Sequence, residues 1–271
     1  MSLPAAAPDR TALVTGASSG IGAEIARELA RRGHGVTLVA RSAAKLEALA
    51  AELGATGVRA EVIACDLTDR AARAGLPGAI EGRGLVVDVL VNNAGLSTLG
   101  AVAESDPEAE MDMVELDVVA VVDLCSRILP GMVERGRGAV LNVASTAAFQ
   151  PLPGQAGYGA GKSFVLSYTQ SLAGELKGTG VSATTLCPGP VDTGFGERAG
   201  FSKADAEDAL PRIMWVSAGD VARAAVDGLA KGRLVVIPGA ANRVAAAVAQ
   251  VAPRTLLLPV LTKGHPAFKN R

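Results

Sequence analysis

The chain has 271 residues, of which 49% are hydrophobic and 20% are charged, and its formal net charge is −1. The near-neutral charge argues against a nucleic-acid-binding protein, which normally carries a basic face, and the apolar share excludes a disordered chain. Two histidines (His34, His265) and three cysteines without a CxxC pair (Cys65, Cys125, Cys187) predict no metal site and suit a reducing compartment.

Short β-branched runs alternate with longer stretches of helical periodicity along most of the chain. In chain order, the predicted strands are 11–15, 36–40, 58–65, 85–91, 139–144, 181–187 and 234–237. The predicted helices are 21–32, 43–53, a weaker one over 69–81, 107–134, 157–177 and 221–230, the last opened by a capping box at Ser217 and Asp220. This alternation predicts an α/β fold: a Rossmann-type doubly wound parallel sheet of about seven strands, buried on both faces by helices. With no repeat or linker, we expect a single domain over 1–271.

Two segments depart from the alternation. The stretch 194–216 lacks a clear period but is rich in large apolar residues, and we interpret it as a substrate loop or, equally, as a cover for the core. Its large apolar residues are Phe195, Phe201, Leu210, Ile213, Met214 and Trp215. Beyond residue 240, helical apolar spacing over Val244, Val248 and Val251 precedes a second apolar run. We expect this extension, 240–271, to pack on its own domain or on another subunit in preference to a membrane surface.

Membrane-spanning and targeting segments are not predicted. No window reaches about 18 uninterrupted apolar residues, and the N-terminus lacks a basic region followed by a long apolar one. We therefore expect a soluble, cytoplasmic protein.

A glycine-rich loop, Thr15-Gly16-Ala17-Ser18-Ser19-Gly20-Ile21-Gly22, directly follows the first predicted strand and opens a helix. The first turn of a helix offers unpaired N–H groups and the positive end of the helix dipole, which suit a pyrophosphate. The spacing G-x-x-x-G-x-G differs from the common G-x-G-x-x-G fingerprint. The alternative is a strand–helix turn without a ligand.

Four further motifs follow this loop along the chain. They are Asp66 after the third strand, Asn92-Asn93-Ala94-Gly95 after the fourth, Ser145 with the pair Tyr158-x-x-x-Lys162, and the turn Pro188-Gly189-Pro190-Val191-Asp192-Thr193. Together, over residues 11–193, the five motifs resemble those of the classical short-chain dehydrogenase/reductase family.

The resemblance implies an oxidoreductase that interconverts a carbonyl and a secondary alcohol by hydride transfer. In that family pattern, Ser145 polarises the substrate carbonyl, Tyr158 protonates its oxygen, and Lys162 hydrogen-bonds the nicotinamide ribose. The substrate is a small carbonyl or alcohol compound, which Ser145, Tyr158 and Phe195 are expected to contact, and the protein is expected to be a homo-oligomer, a dimer or a tetramer. The cofactor residues implied are Gly16, Ser18, Ser19, Gly20, Ile21, Gly22, Asp66, Leu67, Asn93, Ala94, Gly95, Tyr158, Lys162, Pro188, Gly189, Val191 and Thr193.

The end of the second strand indicates which dinucleotide is bound. Folds specific for NAD place an acid there, about 20 residues past the glycine loop, to hold the ribose 2′-hydroxyl. Here Ala40, Arg41 and Ser42 occupy that point, so no carboxylate repels a 2′-phosphate and a guanidinium can pair with one. We therefore predict NADP(H), bound by Arg41 and Ser42; the alternative is that Arg41 is a solvated residue at the start of a helix.

Tyr158 and Lys162 lie four residues apart on a predicted helix and so share one face. A charge about 4 Å away is worth roughly 4 kcal/mol at an effective dielectric of 20, which could lower the tyrosine pKa by up to about three units. We expect Lys162 to bring the pKa of Tyr158 towards working pH; the alternative is a packing aromatic beside a surface charge. The only other tyrosine, Tyr168, is followed four residues later by Leu172 and has no such cation.

Asp117 is the one departure from the family pattern, which usually has an asparagine that supports the lysine. It could accept a hydrogen bond from Lys162, pair with it so strongly that Tyr158 is less acidified, or merely face solvent. We interpret Asp117 as part of the catalytic set and predict an active enzyme with a shifted pH optimum.

Two other enzyme classes are disfavoured. The run Gly161-Lys162-Ser163 lacks the glycine that a P-loop needs at position 156, where Ala156 stands, and no G-x-S-x-G elbow of a hydrolase occurs. The preferred hypothesis is an NADP(H)-dependent oxidoreductase acting on an apolar substrate. The alternative is an NADP-binding scaffold or redox sensor with little turnover, for which Asp117 is the only indication.

Overall fold

The protein was analysed as a computed structural model that describes residues 3–200 and 210–264. Within these residues, seven strands form one parallel sheet in the order β3-β2-β1-β4-β5-β6-β7. The strands are β1 (Arg10–Thr15), β2 (Val36–Ala40), β3 (Ala60–Ala64), β4 (Val86–Asn92), β5 (Gly138–Val143), β6 (Val181–Leu186) and β7 (Val235–Val236). The predicted Rossmann-type α/β fold is confirmed.

Helices cover both faces of the sheet and follow the predicted order. They are α1 (Gly20–Arg31), α2 (Ala43–Gly54), α3 (Arg70–Ala74), α4 (Leu76–Glu81), α5 (Pro107–Val114), α6 (Ala120–Glu134), α7 (Ala156–Glu175), α8 (Phe195–Arg198), α9 (Ala218–Ala230), α10 (Ala240–Val251) and α11 (Arg254–Gly264). Ser217 Oγ accepts a hydrogen bond from the backbone N–H of Asp220 at 3.1 Å, which confirms the predicted start of α9.

The predicted continuous helix 107–134 is wrong in one respect. A π-helical turn, Glu115–Val119, separates α5 from α6. A π turn holds an extra residue and rotates the side chains around it, and such turns frequently lie at functional sites. Here the turn carries Asp117, which is 1% exposed.

Two apolar layers enclose the sheet. One contains Ile25 and Leu29 of α1 with Val221 of α9, and the other contains Leu124 of α6 and Val165 of α7. The central strands are buried on both faces as predicted, whereas the edge strand β3 is only partly buried. The prediction of strands buried on both faces is therefore wrong for the edge strand β3.

The two segments that depart from the alternation both contain helix. In the substrate-loop segment, α8 and a 3₁₀ turn, Arg212–Met214, flank residues 201–209, so Phe201 lies outside the described residues. In the extension, Val244, Val248 and Val251 are 65%, 55% and 82% exposed. The extension does pack on its own domain, but not through this stripe: the opposite face of α10 is the buried one, through Asn242 and two alanines. Among the described residues, no helix is long and apolar enough to cross a membrane.

Candidate active site

The carboxyl ends of the strands open into a cavity of about 850 Å³. It lies where the strand order reverses, between β1 and β4, which is where doubly wound sheets bind ligands. All the predicted site residues line this cavity except Gly22 and Asp117. Clusters of metal-ligating side chains are absent from the part of the chain that the structure describes.

The glycine loop lies at one end of the cavity, and the backbone is packed too tightly there for side chains. Gly16 and Gly20 have φ of +64° and +57°, and a Cβ on Gly22 would lie 2.4 Å from Asn93 Nδ2. Ser19 caps α1 without a side-chain hydrogen bond, and no acidic residue stands in the first turn of that helix. The loop therefore presents backbone N–H groups and the helix dipole to the cavity, as a pyrophosphate requires.

The asparagine motif after β4 is tied to the glycine loop by the last residue of β1. Thr15 Oγ1 accepts hydrogen bonds from the backbone N–H groups of Asn93, at 2.9 Å, and Ala94, at 3.0 Å. The side chain of Asn93 returns a bond to Thr15 O at 2.9 Å. These hydrogen bonds join the glycine loop after β1 to the asparagine loop after β4.

Polar and cationic groups line the cavity beyond β2 and β3. Arg41 and Ser42 are exposed there beside Asp66, whose Oδ1 accepts from the hydroxyl and backbone N–H of Thr68 at 2.8 and 3.0 Å. These bonds, with a smaller contribution from Arg41, lower the pKa of Asp66. Lys45 also lines the cavity, one helical turn after Arg41. The sequence analysis did not identify Lys45 as a site residue. Its position four residues after Arg41, on the same side of a helix, is the signal that could have indicated it.

Ser145, Tyr158 and Lys162 meet in the middle of the cavity. Ser145 follows β5 and accepts a hydrogen bond from the backbone N–H of Ala147 at 3.1 Å. Tyr158 and Lys162 share one face of α7, with the lysine Nζ 5.5 Å from the centre of the phenol ring. The ring of Phe195 lies 5.9 Å from that of Tyr158. The three predicted catalytic groups and the predicted substrate contact are therefore neighbours.

Asp117 lies behind Lys162, away from the cavity. Its Oδ2 is 2.9 Å from Lys162 Nζ, and its Oδ1 accepts from the backbone N–H of Leu96 at 2.9 Å. Lys162 also donates to Val143 O at 3.3 Å. A side chain on Gly95 would intrude on this pair, 3.0 Å from Asp117 Oδ1. The solvent-facing alternative for Asp117 is wrong: it forms a buried ion pair that positions the lysine.

Burial is the largest single influence on the pKa values of Tyr158, Asp117 and Lys162. It raises the pKa of Tyr158, a rise that Lys162 opposes and Asp117 reinforces. Burial also raises the pKa of Asp117 against the opposing charge of Lys162. For Lys162, burial lowers the pKa, but Asp117 and Tyr158 reverse this, so that its pKa is raised. The expectation of a tyrosine acidified towards working pH is wrong for this structure, because burial outweighs the lysine and Asp117 offsets the lysine charge.

The end of the cavity beyond Tyr158 is mostly apolar, although Gln150, Gln155 and Arg198 also line the cavity. Its apolar walls come from the loop before α7, from the substrate-loop segment and from both helices of the extension. They include Leu152, Phe195, Leu210, Met214, Trp215, Ala245, Ala246, Ala249, Val260 and Leu261. The predicted Ile213 is instead 78% exposed and does not line the cavity.

Asn242 joins this wall to the catalytic loops. It is fully buried, and its Nδ2 donates to Met214 O at 2.9 Å and to Pro238 O at 3.0 Å. A Cβ on Gly189 would lie 2.4 Å from its Oδ1. The extension is therefore fixed against the turn after β6, a role that nothing in the local sequence indicated.

Comparisons with known proteins agree with this geometry. The family model described as short chain dehydrogenase matches residues 10–202. A protein of Streptomyces coelicolor, provisionally named a ketoacyl reductase, is 41% identical over 184 residues, covering 67% of this chain and 70% of its own. A short-chain dehydrogenase from Sphingobium yanoikuyae, solved with NADPH, is 34% identical with a TM-score of 0.79 over 92% of this chain and 95% of its own. A dehydrogenase from Comamonas testosteroni, described as specific for bulky-bulky ketones, is 29% identical with a TM-score of 0.74 over 100% of this chain and 99% of its own.

Proposed function

The chain belongs to the short-chain dehydrogenase/reductase family of oxidoreductases, and from this premise we propose that it interconverts a carbonyl and a secondary alcohol with NADP(H). One observation carries the proposal: Ser145, Tyr158 and Lys162 line the same cavity as the glycine loop. A proton donor and a loop suited to a dinucleotide therefore line the same cavity.

The residues of the cavity fit NADP(H). The glycine loop would hold the pyrophosphate, and Arg41 with Lys45 would pair with the 2′-phosphate, since no carboxylate lies at the end of β2. The relative from Sphingobium yanoikuyae was solved with NADPH, which supports this choice. When bound, NADPH supplies the hydride that reduces the carbonyl.

The protein's own groups handle the oxygen of the substrate. Ser145 Oγ accepts from the backbone N–H of Ala147 and also hydrogen-bonds Tyr158, and its hydroxyl would donate to the carbonyl oxygen of a bound substrate. Tyr158 donates its phenolic proton to the same oxygen as charge develops there. Burial raises the pKa of Tyr158, so the tyrosine is protonated near neutral pH, as a proton donor in carbonyl reduction must be. Lys162, held by Asp117, stabilises the phenolate that remains.

The apolar end of the cavity supports an apolar, bulky substrate. Three alanines of α10 line it, and small side chains leave room for the group on the far side of the carbonyl. The relative from Comamonas testosteroni is described as specific for ketones with two bulky groups, and it aligns over the whole of this chain.

Steady-state consumption of NADPH and NADH with a panel of ketones tests this function. We expect turnover of bulky aryl and alkyl ketones with NADPH, weaker turnover with NADH, and little with short polar ketones. NADPH consumption at the rate of the protein-free control with every ketone would contradict the proposal.

The second candidate, a scaffold or sensor with little turnover, is favoured by the Asp117–Lys162 pair. It predicts tight NADPH binding without consumption, and no effect of replacing the Tyr158 hydroxyl. We also propose that the protein acts in the cytoplasm as a homo-oligomer, which a light-scattering mass tests.

A further inference from the structure

Each of the two helices of the extension carries exposed aliphatic side chains at helical spacing. On α10, Val244, Val248 and Val251 recur at helical spacing and are at least half exposed. On α11, Leu256 and Val260 are 68% and 69% exposed. We call these five residues the C-terminal apolar face. Soluble monomers rarely leave so many large aliphatic groups together in water, so such a face indicates a partner.

Hydrogen bonds from Arg254 attach the start of α11 to the domain, and Val260 and Leu261 near its end line the cavity. Arg254 donates to Phe149 O at 3.1 and 3.2 Å and to Ala249 O at 3.1 Å. Beyond it, most side chains of α11 are exposed, and only Leu257, Leu261 and Thr262 are partly covered. The helix α11 therefore lies on the surface of the domain, and its outer side is exposed.

Charge distinguishes the possible partners. The sequence from 228 to 271 contains no aspartate or glutamate, although the whole chain carries slightly more acids than bases. Arg243 and Lys263 are exposed on the two helices of the face. In a two-fold dimer the same patch lies on both subunits, so Arg243 and Lys263 would find no acid of the segment 228–271 across the interface. An anionic lipid surface offers both the apolar layer and the opposite charge.

The face also adjoins the mouth of the cavity. Leu210, Ala245 and Val260 line the cavity and are at the same time exposed on the surface. A surface that covered the C-terminal apolar face would therefore lie at the rim of the apolar end of the cavity. An apolar molecule dissolved in that surface could enter the cavity without crossing water.

We propose that α10 and α11 dock the protein on an anionic lipid bilayer, with the C-terminal apolar face in the interfacial layer and Arg243 and Lys263 against the headgroups. Helices of this length do not span the bilayer; they lie in its plane. The binding itself requires no turnover, so its test is separate from that of the proposed reaction.

Sedimentation of the full chain with lipid vesicles tests the proposal. The probes are vesicles of phosphatidylcholine alone and of phosphatidylcholine mixed with phosphatidylglycerol. We expect binding to the mixed vesicles that weakens with added salt, and at least about a tenfold loss of affinity in Val244→Glu/Val251→Glu. The matched control is Val102→Glu/Met111→Glu, which places two acids on exposed apolar positions elsewhere, 61% and 66% exposed. It should bind as the unmodified chain does.

Circular dichroism and NADPH binding establish that the variants fold, since neither Val244 nor Val251 lines the cavity. Arg243→Gln/Lys263→Gln should reduce the preference for anionic vesicles. The proposal is overturned if the unmodified chain stays in solution with mixed vesicles, if it binds neutral vesicles equally well, or if the two glutamates leave binding unchanged. A light-scattering mass that falls to a smaller oligomer in Val244→Glu/Val251→Glu would instead assign the face to a second copy of the chain.

Discussion

The two ends of the cavity are built in opposite ways. At the cofactor end, glycines bring backbone against backbone, and Thr15 fixes two loops with several hydrogen bonds. At the substrate end, alanines and large apolar side chains from α10, α11 and the loop before α9 surround a space with few polar groups. A phosphate is recognised by N–H groups at fixed positions, whereas an apolar group is recognised by volume. A phosphate site therefore needs a compact local motif, whereas an apolar pocket can be assembled from segments that are distant in sequence.

The Asp117–Lys162 pair lies between these two ends: Lys162 lines the cavity, and Asp117 lies behind it. It is buried, it is ionic, and it supports a residue that faces the cavity. Its removal should therefore affect both stability and chemistry, whereas changes at either end should affect one ligand only.

Lys162→Met is expected to have the largest effect. It leaves the Asp117 carboxylate buried without its cation, which should lower the free energy of unfolding by about 3–5 kcal/mol. The rate of ketone reduction should fall by a factor on the order of 10³, as expected for disabling a general acid. Urea denaturation and steady-state kinetics measure the two effects.

The double variant Lys162→Met/Asp117→Asn separates stability from chemistry. It removes the unpaired charge while keeping an oxygen for the Leu96 N–H, so most of the stability should return and the activity should not. Recovery of both would show that Lys162 acts through folding alone.

At the cofactor end, Arg41→Ala/Lys45→Ala should weaken NADPH binding by about 10–100-fold, because two charge-assisted contacts to a phosphate are lost. NADH lacks that phosphate, so its affinity should change little. Fluorescence titration of both dinucleotides measures the ratio. Equal losses for NADPH and NADH would place neither cation at the 2′-phosphate.

At the substrate end, Ala245→Phe should lower kcat/KM for bulky ketones by about tenfold and leave small ketones unaffected, because the added ring fills the cavity. The matched control is Ala247→Phe, two residues further on the same helix, exposed but outside the cavity. If both variants behave alike, α10 does not form the substrate wall.

Asp117→Asn should have the smallest effect, a change in pH dependence. Asp117 raises the pKa of Tyr158, so its removal should lower that pKa. Alcohol oxidation needs the deprotonated tyrosine, and its kcat/KM should therefore reach its plateau at a lower pH. An unchanged pH profile would exclude electrostatic control by Asp117.

The same contrast explains which features the sequence predicts. The order of strands and helices follows from periodicity, and the glycine loop, Ser145 and the Tyr158–Lys162 pair are local patterns whose spacing carries their geometry. The cavity walls from α10 and α11 could not be predicted in this way. No local pattern distinguishes Ala245 or Asn242 from other residues of a helix, and only the fold brings them to the site. The π turn at Asp117 is likewise invisible to periodicity, since it shifts the register by one residue only. The pKa of Tyr158 is raised by burial in the folded protein, whereas the local sequence shows only its neighbour Lys162.

Tyr158→Phe tests the central claim, that this cavity is an NADP(H)-dependent reductase site with Tyr158 as the proton donor. The change removes one oxygen and keeps the ring that packs on Phe195. Its matched control is Tyr168→Phe, which alters the other tyrosine of the chain, half-buried on the same helix and outside the cavity. We predict that Tyr158→Phe binds NADPH as the unmodified protein does, while its kcat for ketone reduction falls by a factor on the order of 10²–10⁴, and that Tyr168→Phe retains its rate. Turnover of Tyr158→Phe at the rate of the unmodified protein would contradict the account.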